Sequence, residues 1–170
     1  MKKTLVILMC CIAVLFAACK KKSEEPTPDG GNYSEQYVGS YAGSLTIAVV
    51  GTIDTVNVTA PMTFPVDSVW MEIKKGGTEN SLKATVTIDN ETQETTGVAT
   101  AEKASFEKVH LTLNKPDFNI VSDIKLNVSP AENDSLNVGG DFSGSGTANF
   151  FGSVYPIVST GTVSGKLAKQ

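Results

Sequence analysis

Apolar and polar residues alternate along most of this chain, from about residue 44 to residue 167. In the segment 106–113, for example, Val109, Leu111 and Leu113 fall on one side of an extended strand. An alternation of period two is typical of a β-strand that buries one of its faces. No window of this region shows the i, i+3, i+4 apolar spacing of a helix, so we expect at most one or two helical turns. The sequence therefore predicts an all-β domain.

Short segments with this alternation are separated by turn-forming residues such as Gly51-Thr52, Gly76-Gly77, Asp89-Asn90-Glu91, Asn133-Asp134 and Gly139-Gly140. The candidate strands are 44–50, 55–60, 69–74, 82–88, 106–113, 123–128, 135–138, 142–151, 154–159 and 161–167. About 130 residues in roughly eight to ten short antiparallel strands suit one closed sheet. We therefore expect a single antiparallel β-barrel of about 8–10 strands, with a two-sheet β-sandwich as the alternative.

The candidate strand 142–151 carries unusually small side chains on one face. Gly144, Gly146 and Ala148 share that face with Phe142 and Phe150. Glycine inside a strand usually marks a bend, a bulge or the close approach of another group. Small residues also allow a barrel wall to coil tightly enough to close. We favour this structural interpretation over the alternative that the missing side chains make room for a ligand.

The first eighteen residues have the pattern of an export signal. Lys2 and Lys3 provide a positive start, residues 5–16 form an apolar run, and Ala17-Ala18 supplies small residues for a peptidase. The run has twelve residues. A helix needs about twenty residues to cross a bilayer. Residues 1–18 are therefore predicted to be a cleaved signal peptide.

Residues 15–19, Leu-Phe-Ala-Ala-Cys, resemble the lipobox of bacterial lipoproteins. The resemblance implies that Cys19 becomes the first residue of the mature protein and carries acyl chains, although Phe16 stands where the common pattern has Leu. Several chains on one residue make a durable membrane anchor. Lys20 is not the aspartate that in many lipoproteins signals inner-membrane retention, so the resemblance points to the outer membrane. The alternative is a plain secreted protein cleaved after Ala18.

Residues 19–36 continue as a polar stretch that contains Pro and Gly and lacks apolar periodicity. Such a composition cannot bury enough surface to fold, so we expect a flexible tether between Cys19 and a β-domain at 37–170. Within it, Lys22-Ser23-Glu24-Glu25 resembles the surface-export signals of some Gram-negative lipoproteins, and it is equally well interpreted as a solvated linker. The sequence leaves open whether the protein lies on the periplasmic side or on the cell surface.

Cysteine use and charge exclude several function classes. The cysteines are Cys10, Cys11 and Cys19, so residues 20–170 can form neither a disulfide nor a thiolate metal site. The chain has 14 lysines, no arginine and 18 acidic residues. Without residues 1–19, which hold two lysines and no acid, twelve lysines remain and the net charge is −6. Nucleic acid is therefore not expected as a partner, because phosphate binding needs a basic patch.

Residues suited to catalysis or metal binding are sparse. His110 is the only histidine, it is predicted to face solvent, and no Gly-x-Ser-x-Gly motif is present. No spacing pairs the carboxylates near the strand ends, which include Asp67, Glu72, Asp117, Asp123 and Asp141. No EF-hand loop or phosphate-binding glycine loop occurs either. We therefore predict no catalytic residues, no metal ligands and no cofactor.

Aromatic side chains are the remaining candidates for a binding role. Trp70 alternates with Val69 and Met71 and so points away from the apolar side of its strand. Outward aromatics on a β-surface suit stacking against sugars or contact with proteins, whereas inward ones suit a lipophilic cavity. The candidate ligand-binding residues are Trp70, Phe150, Phe151 and Tyr155. The competing interpretation is that they pack against loops or a barrel end.

The opening YVGSYAGSLTI (37–47), the hairpin-rich middle and the Gly/Ser-rich close resemble the calycin-like barrel lipoproteins of Gram-negative gut bacteria. Tyr41 and Gly43 match that family's Tyr-x-Gly strand opening. The resemblance covers residues 37–167 and implies a small lipocalin-like antiparallel barrel. It implies no binding residues, because the family has no well-defined functional signature.

Together these observations predict a non-enzymatic lipoprotein anchored to the outer membrane that binds a small apolar or amphipathic ligand. The alternative is a protein- or glycan-interaction module, accessory to a surface uptake or adhesion system. A carboxylate-based hydrolase is a third and weaker hypothesis. An empty apolar interior would favour the carrier, and a filled barrel with exposed aromatic side chains would favour the interaction module.

Overall fold

The structure, a computed structural model, describes residues 31–170. These residues form an antiparallel barrel closed in sequential order, in which each strand pairs with the next and β8 returns to β1. The strands are β1 Gly39–Ile53, β2 Val56–Lys75, β3 Ser81–Ile88, β4 Glu91–Ala99, β5 Ala104–Lys115, β6 Phe118–Ala131, β7 Ser135–Phe150 and β8 Ser153–Lys169. The single antiparallel barrel is therefore confirmed, with eight strands in the described part of the chain, and the sandwich alternative is wrong.

Several predicted strands are segments of longer ones. The candidates 55–60 and 69–74 both belong to β2, although Pro61 and Pro65 lie between them. Proline lacks the N–H that a central strand must donate, and it is tolerated at an edge. β2 is an edge there, since its ladder with β3 begins only at Val69. Likewise, the last four candidates merge into β7 and β8.

The sequence analysis did not predict the strand β4. β4 carries Thr95, Gly97 and Ala99 on its inward face, and these small or polar residues give no hydrophobic alternation. Two predicted turns are also wrong, since residues 51–52 lie inside β1 and residues 139–140 inside β7. Small and weakly polar residues produce no alternation in hydropathy, so a strand made of them is not recognised from the sequence. Their burial is decided by the neighbouring strands.

The inward faces of the strands form one continuous hydrophobic core. Val109, Leu111 and Leu113 are all buried, whereas His110 between them is exposed, which confirms the predicted register of β5. The alternation in β7 also follows the prediction, with Phe142 and Ala148 buried. Fully buried large side chains fill the interior; they include Phe106, Phe142, Ile47, Met71, Ile73, Leu82, Ile120, Ile124, Leu126, Leu136 and Ile157.

A short 3₁₀ helix, Ser34–Tyr37, lies at the barrel end where β1 begins. Tyr37 is fully buried, and its hydroxyl donates a hydrogen bond to the carbonyl oxygen of Thr100 at 3.1 Å. The β-domain therefore begins before residue 37, and the last residues of the predicted tether belong to this domain. Within the described chain, no helix is long and apolar enough to cross a bilayer.

Candidate functional site

The barrel interior is closed at the end that carries the hairpins β1–β2, β3–β4, β5–β6 and β7–β8. Phe64 of β2 and Phe118 of β6 meet edge to face there, with ring centroids 5.0 Å apart. β2 and β6 lie opposite each other in the ring of eight strands, so this contact spans the barrel. Together with the buried side chains below it, the pair leaves the interior filled rather than open to a ligand.

The small residues of β7 do not line free space. A Cβ atom placed on Gly146 would overlap the backbone carbonyl oxygen of Asn119 on β6. A Cβ on Gly144 would lie 2.9 Å from the Cγ2 of Ile120 and 2.8 Å from the carbonyl oxygen of Val121. The missing side chains therefore allow β6 and β7 to approach closely, which is the structural role that the sequence favoured.

A ledge on the outer wall surrounds Trp70. It is a shallow concavity of about 640 Å³ formed by β1, β2 and the β3–β4 turn. Its floor and rim are Ala42, Gly43, Ser44, Asp67, Ser68, Val69, Trp70, Thr87 and Asn90. Val69 and Met71 are buried and Trp70 between them is partly exposed, so the predicted outward orientation of the tryptophan is confirmed.

A β-bulge shapes this ledge. The register between β1 and β2 shifts from Gly43↔Val69 to Leu45↔Val66, so that Asp67 and Ser68 together oppose one residue of β1. Bulges bend a strand and redirect its side chains, and they are common at functional sites. The backbone N–H of Asp89 donates to the carbonyl oxygen of Ser68 at 3.3 Å, which joins the β3–β4 turn to the bulge.

β4 and β5 share few ladder hydrogen bonds, and the boundary between these two strands forms a seam in the wall. Its ladder contains only three pairs, from Gly97↔Phe106 to Ala99↔Ala104. Beyond them, the Gln93 amide donates to the carbonyl oxygen of His110 and accepts from its backbone N–H, both at 2.6 Å. A primary amide offers the same donor and acceptor as a peptide group, so Gln93 replaces a missing ladder pair.

Two concavities flank the Gln93 bridge along the seam. One, of about 540 Å³, includes Glu94, Thr96 and Lys108 in its lining, and the other, of about 260 Å³, includes Glu91 and His110. The charged groups of the larger concavity have mixed signs, and those of the smaller one are the carboxylates of Asp89 and Glu91. Among residues 31–170, no three His, Cys, Asp or Glu side chains converge on a position for a metal ion.

His110 contacts a carboxylate on the outer wall. Its Nδ1 lies 3.0 Å from Oδ1 of Asp123 on β6, and both side chains are at least half exposed. Ser143 lies on β7, the strand after β6, and it lines one surface concavity together with His110 and Asp123. Asp123 therefore lies between the strand of the histidine and that of the serine. A Ser-His-Asp triad needs the imidazole in the middle position, so this row does not have the order required for nucleophilic catalysis.

The predicted aromatic residues do not form one site. Trp70 lies in a cross-strand row with Ala42 and Ala168, and Tyr155 is thirteen residues from Ala168 along β8. Phe151 is fully exposed in the β7–β8 turn with a φ of 52°. This conformation is uncommon for a bulky residue. Nothing is described of the Phe150 side chain, and Cys19 lies outside the described residues.

The sequence analysis did not place Asp67 and Asn90 beside one concavity; it assigned the first to scattered surface acids and the second to a turn. They are 23 positions apart and meet only because β2 and β3 pair in one register. Nothing in the sequence indicated that Gln93 would bridge β4 and β5. Compared with known proteins, the chain matches no family model and no curated sequence.

Proposed function

We propose that this protein is a lipid-anchored, non-enzymatic interaction module of the Gram-negative outer membrane that binds its partner on the outer wall of the barrel. The observation that carries the proposal is the filled interior, closed by the Phe64–Phe118 contact, beside an outward-facing Trp70. A carrier needs an enclosed apolar cavity to remove its ligand from water. Here the groups with binding capacity lie outside the core.

The anchor rests on the sequence alone. The apolar leader and the lipobox-like residues 15–19 support acylation of Cys19 and export to the outer membrane. The sequential order of the eight strands agrees with the calycin-like barrel lipoproteins that the sequence resembles. We include membership of that family in the proposal, together with a role in surface uptake or adhesion.

Two experiments test the proposal. In the full-length chain expressed in a Gram-negative host, Cys19→Ser should move the protein from the membrane fraction to the soluble periplasmic or uncleaved form. Unchanged fractionation and unchanged mass would overturn the lipoprotein assignment.

The mature chain with Cys19→Ser keeps every described residue and can be titrated with a fluorescent fatty acid. We expect no saturable binding, because the interior offers no space. Saturable binding that is abolished by enlarging a core residue, for example Val86→Phe, would favour the carrier instead. Val86 is buried on β3. Val98→Phe, at an exposed position on β4, is the matched control.

A further inference from the structure

The ledge around Trp70 combines a stacking surface with polar groups that the protein itself does not use. Trp70 is the chain's only tryptophan, and its cross-strand partner on β1 is Ala42. An alanine carries only a methyl group, so the indole is not covered by a large side chain from that strand. The indole is therefore partly accessible from the outside, at the floor of the concavity.

Four polar side chains border this surface with unused hydrogen-bonding capacity. Within residues 31–170, no hydrogen bond or ion pair engages the side chains of Ser44, Asp67, Ser68 or Asn90. A carboxylate only accepts hydrogen bonds, whereas hydroxyl and amide groups both donate and accept. A ligand that matches this set must present several groups that are donor and acceptor at once, and sugar hydroxyls are such groups.

The backbone that carries these groups is fixed before any ligand arrives. Asp67 and Ser68 lie on the bulge of β2, and the bulge is joined to the β3–β4 turn through Asp89. A preformed arrangement reduces the ordering cost of binding. The concavity is shallow and open to solvent, so a ligand would contact it with one face.

Other ligand classes fit this ledge less well. Quaternary ammonium groups are recognised by cages of several aromatic rings, and Trp70 is the only aromatic residue that borders the ledge. An apolar peptide would bury the free carboxylate of Asp67 without a partner, which is costly. A neutral sugar avoids both problems, because its C–H face stacks on the indole and its hydroxyls contact the polar rim.

We propose that the ledge is a saccharide-binding site in which Trp70 stacks against a sugar ring while Asp67 and Asn90 bind its hydroxyls. This inference rests on the proposed interaction module and names its ligand class. It places a glycan subsite on the outer wall, between β1 and the β3–β4 turn, rather than in the barrel interior.

The single tryptophan makes the test direct, since the emission of the whole protein reports on the ledge. The mature Cys19→Ser chain should be titrated with maltohexaose, cellohexaose and xylohexaose while tryptophan fluorescence is followed. We expect a saturable change with at least one of them. Asp67→Asn, which keeps the shape of the side chain and the fluorophore, should weaken that binding at least tenfold.

Asp141→Asn is the matched control, because Asp141 is an exposed carboxylate on the outer wall of β7. It should bind like the parent chain, and both variants should melt at the parent's temperature. A flat titration with all three sugars overturns the saccharide assignment, and so does equal binding by Asp67→Asn. A saturable response to choline but not to the sugars also overturns it and assigns a cationic ligand. Because the fatty-acid titration is independent of these results, the interaction module and its ligand class can fail separately.

Discussion

Two sides of the barrel wall, the β7–β8 pair and the β4–β5 pair, differ greatly in the length of their hydrogen-bonded ladders. β7 and β8 form sixteen successive pairs, from Ser135↔Ala168 to Phe150↔Ser153, whereas β4 and β5 form three. On the first side, glycines of β7 also let this strand approach its other neighbour, β6, closely, as Gly146 does. On the second, side chains from Gln93 and Thr95 reach across to the β5 backbone. The β7–β8 ladder therefore runs without interruption, whereas the contact between β4 and β5 depends on side chains.

The cause of the seam lies in β5. Its ladder with β6 shifts register between Phe106 and Val109, and Lys108 within this bulge has a φ of 56°. Apart from Lys108 and Phe151, the non-glycine residues with positive φ are Asn or Asp, which tolerate that region. The bulge begins where the β4–β5 ladder ends, at Phe106, and beyond it the side chains of Gln93 and Thr95 bridge to β5. We expect the seam to be the least stable part of the wall.

The largest expected effect is at a glycine of the closely paired side. Gly146→Ala should cost more than about 4 kcal/mol of unfolding free energy or prevent folding, because its Cβ would overlap the β6 backbone. Gly139→Ala is the control on the same strand. Its Cβ would meet only the Val163 carbonyl oxygen, at 3.9 Å, and the cost should stay below about 1 kcal/mol. Urea denaturation measures both, and equal stabilities would contradict the close approach.

The second effect concerns the core beneath the seam. Leu111→Ala should destabilise the protein by about 2–5 kcal/mol, because it removes a buried side chain from a packed interior. His110→Ala should change stability by less than about 0.5 kcal/mol. It removes an exposed imidazole and keeps the backbone groups that Gln93 binds. Thermal and urea unfolding would show a reversed order if β5 were assigned to the wrong face.

A smaller effect is expected at the bridge itself. Gln93→Ala removes two hydrogen bonds to His110 and should cost about 1–3 kcal/mol. The loss should be local, so the amide of His110 should exchange with deuterium faster while the amides of β7 and β8 keep their protection. Thr96→Ala, at an exposed position on the same strand, is the control. Faster exchange throughout the barrel would show that the seam does not open separately.

The smallest effect is a dependence on alkaline pH at the end of the seam. Burial raises the pKa of Tyr37, and a side-chain hydrogen bond with Gln36 partly offsets this. The folded state thus holds the phenolic proton more tightly than the unfolded chain does. Its contribution is complete below the ordinary tyrosine pKa of about 10 and is lost as the pH rises through the higher folded value.

Tyr37→Phe should therefore reduce the loss of stability on the alkaline side in urea titrations. At neutral pH it should cost about 1 kcal/mol, since the hydrogen bond to Thr100 is removed. Burial, with a contribution from Asp134, also raises the pKa of Tyr41, whose hydroxyl donates to the carbonyl oxygen of Tyr37 at 3.1 Å, so Tyr41→Phe should reduce the alkaline loss in the same direction. An unchanged alkaline slope in the Tyr37 variant would exclude the expected role of this phenol.

The ledge was only partly predictable. The outward orientation of Trp70 follows from its position between Val69 and Met71 on one strand, which is a local property. The participation of Asp67 depends on a bulge, and that of Asn90 depends on the register of β2 against β3. Both are decided by contacts between residues distant in the chain, which a period-two pattern does not encode.

The sequence by itself determined the all-β class, the inward and outward faces of most strands and the absence of thiol chemistry after Cys19. These properties depend on composition and on the alternation of neighbouring residues. The tertiary structure decided that ten apparent segments belong to seven strands and that β4 is the eighth, that the interior is filled and that the wall is weakly joined at β4–β5. The physical reason is that closing a sheet is a cooperative, non-local event. At Gly139-Gly140, glycine lets strand pairing continue through a predicted turn. Beside the bulge of β5, the ladder stops and the side chain of Gln93 completes the wall.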